Sequence, residues 1–158
     1  MSHIPIQSTG IAVVLLKKIN AVYHVLLVKR SSSKLNNIWC YIGGGIEAGE
    51  TAVEATYREI KEETGITDVA LYSSNQFDQI FSPHDNYIYI APVFVGFVHD
   101  LQNVHLNDEH SDYQWLPIET AKKVVSLPGN EDVLQSIETH FIKKKPMEFL
   151  KIERQVNS

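Results

Sequence analysis

The chain has 158 residues, of which 44% are apolar and 21% charged, and its formal net charge at pH 7 is −5. This composition predicts one soluble globular domain, residues 1–158, with a core of its own, and the acidic balance excludes the basic face that binds nucleic-acid backbones. The longest apolar stretch, residues 88–98, is too short to span a bilayer, the N-terminus lacks a secretory pattern, and the lone Cys40 fits a reducing compartment. We therefore predict a cytoplasmic protein with no nucleic-acid and no membrane partner.

The first half of the chain predicts strands followed by a glycine-rich break. Apolar and β-branched residues predict strands at 10–18 and 22–30, joined by a short turn, and another short strand at 39–42. Three glycines follow at 43–45, and we expect them to interrupt regular structure, because consecutive glycines suit a sharply bent backbone or one that approaches a ligand closely.

The remaining elements predict an α/β fold. A helix is expected from Thr51, where Thr51 and Glu54 form a capping-box pattern, to the terminator Gly65. Strands are predicted at 69–81, 86–98 and 111–116, together with a helix of about ten residues from Pro117 and a final helix over 131–143. This order predicts a mixed β-sheet between helices, with a frayed tail after about residue 146.

Three carboxylates on the first predicted helix carry the chemical signal. Glu59, Glu62 and Glu63 stand at i, i+3 and i+4 and share one helix face. Like charges at this spacing oppose helix formation by about 0.2–0.5 kcal/mol per pair. A helix that tolerates them is expected to hold a cation, and hard oxygen ligands indicate Mg²⁺ or Mn²⁺.

The surrounding residues extend this signal into a motif. Residues 44–66 read GGIEAGETAVEATYREIKEETGI, in which the glycines, Glu50, Arg58 and the three carboxylates keep the spacing of the Nudix box at every fixed position. The chain departs from the family at Ile42, where a proline often precedes the paired glycines. The sequence therefore resembles the Nudix hydrolase family. That resemblance implies an α/β/α sandwich and a divalent-metal-dependent enzyme that cleaves a pyrophosphate linkage with water.

The resemblance also implies roles for the residues of the box. Glu59, Glu62 and Glu63 are the expected metal ligands, joined by the carbonyl of Gly44, and either Glu59 or Glu62 could also act as general base. Arg58 is included among the catalytic residues because its guanidinium is expected to position neighbouring carboxylates. It can pair with Glu54 or Glu62, each four residues away on the helix. Supporting positions are predicted at Glu50 and Glu47.

Outside the box, a few residues are candidates for the same site. Glu109, in a segment that resembles a Glu-His…Trp pattern of some Nudix branches, is a candidate metal ligand or base, and His110 is expected to orient a neighbour. Phosphate-binding candidates at the end of the second strand are Lys29, Arg30 and Lys34. Tyr41 is a candidate partner for a stacked base.

The substrate remains open among several branches of the family. Our first choice is a nucleoside triphosphate-like molecule, dATP-like or dihydroneopterin triphosphate, cut to a monophosphate and pyrophosphate. The alternatives are asymmetric diadenosine tetraphosphate hydrolysis, then ADP-sugar hydrolysis, or a non-catalytic nucleotide sensor. The sequence leaves both a monomer and a homodimer open.

Overall fold

The computed structural model describes residues 1–31, 37–99 and 103–153. Within this part of the chain, eight strands form one mixed sheet: β1 (Ile6–Gln7), β2 (Gly10–Ile19), β3 (Val22–Arg30), β4 (Trp39–Cys40), β5 (Ile42–Gly45), β6 (Val69–Ser82), β7 (Tyr87–Val98) and β8 (His110–Pro117). The helices are α1 (Ala52–Thr64), α2 (Ile118–Val124) and α3 (Asn130–Ile137), and α3 continues into a π-helical segment, Glu138–Ile142. A short 3₁₀ turn, Glu148–Leu150, follows.

Strand β2 lies at the centre of the sheet. It runs parallel to β7 along one edge, whereas its other edge is shared by β3, which pairs with residues 16–19, and β5, which pairs with residues 10–13. Strands β6 and β1 flank β7, and β8 and β4 pair with β3. The sheet is therefore mixed, as the sequence predicts.

The expectation that glycines 43–45 break regular structure is wrong. Gly43, Gly44 and Gly45 lie in β5 and pair with Ala12, Ile11 and Gly10 of β2. The three glycines therefore continue a regular antiparallel pairing without a bend, and only at Gly43 would an added Cβ lie close to β2, 3.2 Å from the Ile11 carbonyl.

Two apolar layers hold helices on both faces of the sheet. Alternate residues of β2 point to opposite faces: Ile11, Val13 and Leu15 join the cluster that packs under α1, and Ala12, Val14 and Leu16 join the cluster that packs under α2 and α3. The predicted α/β/α sandwich is confirmed. In the described ranges, no helix is both long and apolar enough to cross a membrane.

Helix α1 begins and ends where its local sequence predicts. Thr51 Oγ1 accepts a hydrogen bond from the Glu54 amide at 3.1 Å, and the Glu54 carboxylate accepts one from the Thr51 amide at 3.4 Å, which completes the capping box. At the other end Gly65 takes a left-handed conformation, with φ of +77°, and its N–H donates to the Lys61 carbonyl at 2.8 Å.

The C-terminal segment is docked further than the sequence suggests. Lys151 forms a bridge with Tyr72 of β6, and the Ile152 amide donates to the Leu71 carbonyl at 2.9 Å. Pairing with a strand edge therefore orders the chain as far as Ile152, where the sequence alone predicted fraying from residue 146.

Candidate active site

Helix α1 directs two of its three clustered carboxylates into the protein. Glu59 and Glu63 are buried, with 9% and 2% of their surface exposed, whereas the side chain of Glu62 is about half exposed. Both buried acids lie on the helix side that packs near β5, together with Ala55 and Ile60. Burying carboxylates is costly unless they gain partners, so the partners of these two residues decide what the site does.

Arg58 supplies the partners of Glu59. Its Nη1 donates to Glu59 at 2.8 Å and to Glu62 at 3.1 Å, and its Nε and Nη2 form a two-pronged pair with the Glu50 carboxylate at 2.7 and 2.9 Å. Nη2 also donates to the Gly45 carbonyl at 2.8 Å. The hydrogen bonds from Arg58 lower the pKa of Glu50 to about 2. A single guanidinium thus ties the entry loop of α1 to two of the predicted metal ligands.

The structure also places the other predicted partners of Arg58. Glu47 is exposed and lies 3.6 Å from Nη1, and its backbone amide donates to Glu50 at 3.0 Å. Glu54, one of the two partners allowed by helical spacing, is used in the capping box instead. The arginine therefore acts across the entry loop and one helical turn.

Gly44 is shaped for contact with Glu59. A Cβ added at Gly44 would lie 2.3 Å from Cδ of Glu59, which is closer than any real carbon contact. The absence of a side chain at this position is what lets the Glu59 carboxylate lie against β5. The two residues, fifteen positions apart in the sequence, form one continuous surface of candidate ligands.

Glu63 meets a second group of ligating side chains. Glu63, Glu109 and His110 offer one carboxylate oxygen or ring nitrogen each, and these three atoms lie within 4.8 Å of one another. We call this set the acid–histidine cluster. Glu109 is exposed, and its carboxylate joins the site from the loop before β8. The sequence predicted His110 only as an orienting neighbour, whereas its position here makes it a candidate ligand.

The cluster contains buried polar atoms that lack partners. Glu63 Oε2 and His110 Nδ1 are both buried and have no hydrogen bond within the described residues. Burial, followed by the charges of Glu59 and Glu109, raises the pKa of Glu63 to about 9, and burial lowers the pKa of His110. Burial also raises the pKa of Glu59, against the opposing effect of Arg58.

These observations test whether the residues suit a divalent cation. Three carboxylates that repel one another, a neutral imidazole and an orphaned buried oxygen are electrostatically unfavourable as they stand. A divalent cation would compensate the repulsion and use the free lone pairs, and the carboxylate oxygens here are the donors that Mg²⁺ and Mn²⁺ prefer. The residues therefore fit the metal that the sequence motif implies.

A cavity of about 760 Å³ opens onto this cluster. Arg30 lines it, and its charge acts on Glu63 and His110, so of the two described basic candidates, Lys29 and Arg30, it is the one that reaches the cavity. Lys29 does not line the cavity, and Lys34 lies outside the described residues. The volume falls within the range of about 300–1,000 Å³ typical of small-molecule sites.

Tyr41 lines the cavity in a different role from the predicted stacking partner. It is buried, its hydroxyl donates to Asp78 at 2.5 Å, and Asn130 donates to that hydroxyl at 2.8 Å. Neither Asp78 nor Asn130 was predicted from the sequence. No motif marks them, because they reach the cavity from β6 and the start of α3.

Comparison with known proteins identifies the family. The NUDIX domain family model matches residues 8–137. A protein named nucleoside triphosphatase NudI from Klebsiella pneumoniae is 31% identical over 108 residues, which cover 63% of this chain and 77% of that protein.

Solved structures show the same fold. An Ap4A hydrolase from C. elegans in a binary complex superposes with a TM-score of 0.72 at 21% identity, covering 84% of this chain and 96% of that one. The E. coli dihydroneopterin triphosphate pyrophosphohydrolase superposes with a TM-score of 0.69 at 22% identity, covering 90% and 100%.

The fold and the acidic site define a hydrolase that acts on phosphoanhydride bonds. The chain belongs to the Nudix family and is a Nudix pyrophosphohydrolase.

Proposed function

We propose that the protein hydrolyses a nucleoside triphosphate-like substrate to a monophosphate and pyrophosphate, with Mg²⁺ or Mn²⁺ as cofactor. The observation that carries the proposal is the buried and unpartnered Oε2 of Glu63, placed in the acid–histidine cluster at the wall of the 760 Å³ cavity. A buried carboxylate oxygen without a partner is unfavourable unless a cation binds it. Because the acid–histidine cluster lies at the cavity wall, a polyphosphate in the cavity would reach a cation held there.

The ligand set of this proposal comes from three parts of the chain. Glu59, Glu62 and Glu63 come from α1, the Gly44 carbonyl from β5, and Glu109 from the loop before β8. A divalent cation, when bound there, neutralises phosphate charge and lowers the pKa of the attacking water.

The protein's own side chains divide the remaining work. Arg58 holds Glu59 and Glu62 by hydrogen bonds, so their lone pairs are partly occupied. Within the described residues, no hydrogen bond reaches the Glu109 carboxylate, which is exposed. We therefore assign Glu109 as the acceptor of the proton from water, and Arg30 as the group that holds a substrate phosphate in the cavity.

The substrate class is supported by the relative named a nucleoside triphosphatase, because its match covers most of its length. The structural neighbours named as acting on Ap4A or on dihydroneopterin triphosphate are under 25% identical and support the fold alone. A nucleoside triphosphate-like substrate is therefore our first choice, with diadenosine tetraphosphate as the competing one.

The test is product analysis with a substrate panel. EDTA-treated protein would be given Mg²⁺ or Mn²⁺ and dNTPs, dihydroneopterin triphosphate, diadenosine tetraphosphate or ADP-ribose, with products separated by anion-exchange chromatography. We expect metal-dependent release of a monophosphate and pyrophosphate. Cleavage of diadenosine tetraphosphate alone would instead assign the competing function, and tight nucleotide binding without turnover would assign a sensor.

A pair of adjacent variants tests the role of Glu109. Glu109→Gln should reduce kcat by about 10²–10⁴-fold, the usual contribution of a positioned base. Asp108→Asn, the exposed neighbour, should retain wild-type kcat, because no function is assigned to its side chain. Equal activity of the two variants would contradict the assignment of Glu109.

A further inference from the structure

A buried polar chain lies in the cavity apart from the acid–histidine cluster. It consists of Tyr41, Asp78 and Asn130, which we call the polar trio. The Asn130 amide donates to the Tyr41 hydroxyl at 2.8 Å, and that hydroxyl donates to Asp78 Oδ1 at 2.5 Å. Tyr41 and Asn130 are 5% and 7% exposed, and all three residues line the cavity. Burial raises the pKa of Asp78.

The direction of these hydrogen bonds determines what the trio offers to a ligand. Because the Asn130 nitrogen is used as a donor, the side-chain oxygen remains as an acceptor. The Tyr41 proton is given to Asp78 Oδ1, which leaves Oδ2 as a second acceptor. Among the described residues, no hydrogen bond reaches either of these two oxygens. Both oxygens belong to residues that line the cavity, so they are the acceptors that the trio can offer to a ligand there.

The trio and the acidic site lie on opposite faces of the sheet but share one cavity. Tyr41 belongs to the apolar cluster under α2 and α3, whereas Glu63 comes from α1 on the other face. The cavity lining includes both residues, with the side-chain-free Gly43 and Gly44 of β5 between them in the chain. A ligand with its phosphates at the acids can therefore extend its other end towards the trio.

The cavity wall near the trio suits a flat ring. In the β6–β7 pairing, Asp78 is opposite Ala91 and Ile80 is opposite Tyr89, and all four residues line the cavity. Ala91, Ile80 and the ring of Tyr89 are largely apolar, and the strand register places them next to Asp78 in the sheet. Aromatic and apolar walls with a few placed polar groups are typical of sites for heterocycles.

We propose that the polar trio selects substrates whose ring presents two adjacent hydrogen-bond donors, a ring N–H beside an exocyclic amino group, as in guanine and pterins. The proposal rests on the proposed function, since it names the group joined to the polyphosphate. Adenine presents an amino group beside the N1 acceptor, so one trio oxygen would face a lone pair and stay unpaired. A site built to pair a donor rejects analogues that lack it, because a buried acceptor is then left unsatisfied.

Each member of the trio has a distinct role in this proposal. Asp78 and Asn130 contact the ring and determine specificity, whereas Tyr41 is a positioning residue that orients both. Of the two substrates favoured on sequence grounds, dihydroneopterin triphosphate carries the two-donor edge and dATP does not. The trio thus narrows the substrate class towards pterin and guanine triphosphates.

The first experiment needs no variant. With saturating Mg²⁺, kcat/KM is measured for dGTP, dihydroneopterin triphosphate, dATP and dCTP, and binding of dGMP and dAMP to EDTA-treated protein is measured by calorimetry. We expect the two-donor rings to be preferred over dATP by at least about 10-fold, in kcat/KM and in binding. A preference for adenine in both measurements would overturn the proposal.

The second experiment changes the acceptors. Asp78→Asn replaces one acceptor by an amide donor that can face adenine N1, so the guanine-to-adenine ratio of kcat/KM should fall by about 10- to 100-fold. Tyr41→Phe should lower the same ratio through KM, with kcat retained. Tyr87→Phe is the matched control, because Tyr87 does not line the cavity, and should leave the ratio unchanged.

The outcomes separate this proposal from the proposed function. If triphosphates are hydrolysed but Asp78→Asn lowers all rates equally, or leaves the ratio unchanged, the trio is only structural and the proposal is wrong while the hydrolase assignment stands. If no triphosphate is hydrolysed, the proposed function fails. Monophosphate calorimetry then still decides whether the trio recognises the ring. If Asp78→Asn does not fold, the proposal is tested by the wild-type substrate panel and by the guanine-to-adenine ratio of kcat/KM in Tyr41→Phe.

Discussion

Replacing Glu63 by glutamine should stabilise the metal-free protein at alkaline pH. Glu63 is 2% exposed and has an unpaired oxygen, and its pKa is raised from 4.5 to about 9 by burial and by the neighbouring acids. Between these two values the folded protein holds a proton that the unfolded chain has released. The free energy of unfolding therefore falls as the pH rises through this window, because ionising the carboxyl favours the unfolded chain.

The size of the effect follows from the pKa difference. Each pKa unit corresponds to about 1.4 kcal/mol, so raising the pH from about 5.5 to 8 should cost the wild-type protein on the order of 3 kcal/mol through Glu63 alone. Glu63→Gln stays neutral at both pH values and should lose this part of the dependence. Unfolding by urea in EDTA, at the two pH values, measures the difference between the two proteins.

Two controls make the prediction specific. Glu62→Gln removes an exposed carboxylate on the same helix, the weakest of the three charges that raise the pKa of Glu63, and should keep most of the pH dependence of the wild type. Excess Mg²⁺ at pH 8 should raise the wild-type free energy of unfolding more than that of Glu63→Gln, because the cation stabilises the ionised carboxylate. Parallel pH profiles for wild type and Glu63→Gln in EDTA would refute the reasoning.

Three further changes probe the rest of the site. Glu62→Gln should lower kcat by orders of magnitude while the free energy of unfolding stays within about 0.5 kcal/mol, and wild-type turnover would remove Glu62 from the proposed ligand set. Gly44→Ala should reduce kcat/KM by about 10²-fold, because the new Cβ, 2.3 Å from Glu59 Cδ, must displace that carboxylate. Gly45→Ala is its matched control, since the nearest atom to its Cβ is 3.9 Å away, and equal losses in the two variants would contradict the contact argument. Arg58→Lys cannot reproduce the forked pair with Glu50, so thermal unfolding should show a loss of about 1–3 kcal/mol together with a lower kcat. A variant as stable and active as the wild type would show that the fork is dispensable.

Elements with strong local signals were predicted closely. Strand β3 has the bounds that its apolar run predicts, and α1 begins after Thr51 and ends before Gly65 as its caps predict. These features depend on residues a few positions apart, so they can be recognised in the sequence alone. The glycine strand β5 was missed, because each of its three glycines pairs with a residue of β2 more than thirty positions away and glycine has no strand propensity of its own.

The candidate site divides in the same way. Glu59, Glu62 and Glu63 could be identified because helical spacing places them on one face, and the motif added Arg58 and Gly44. The position of His110 beside Glu63 as a candidate ligand could not be predicted, since it depends on β8 bringing the two residues together. The same holds for the choice of Arg30 over Lys29, which depends on where the cavity opens.

By itself, the sequence determined the family, the α/β/α architecture and the acidic helix, because each is encoded in short-range spacing of residue types. Only the tertiary structure decided which groups meet around the cavity. The pKa of Glu63 is raised because the residue is buried near other acids, among them Glu109. In the polar trio, Tyr41 meets Asp78, 37 positions away, and Asn130, 89 positions away. The desolvation of Glu63 and the direction of the hydrogen bonds in the trio both arise only when the sheet assembles. The first effect concerns the proposed metal site, and the second concerns the proposed recognition of the substrate ring.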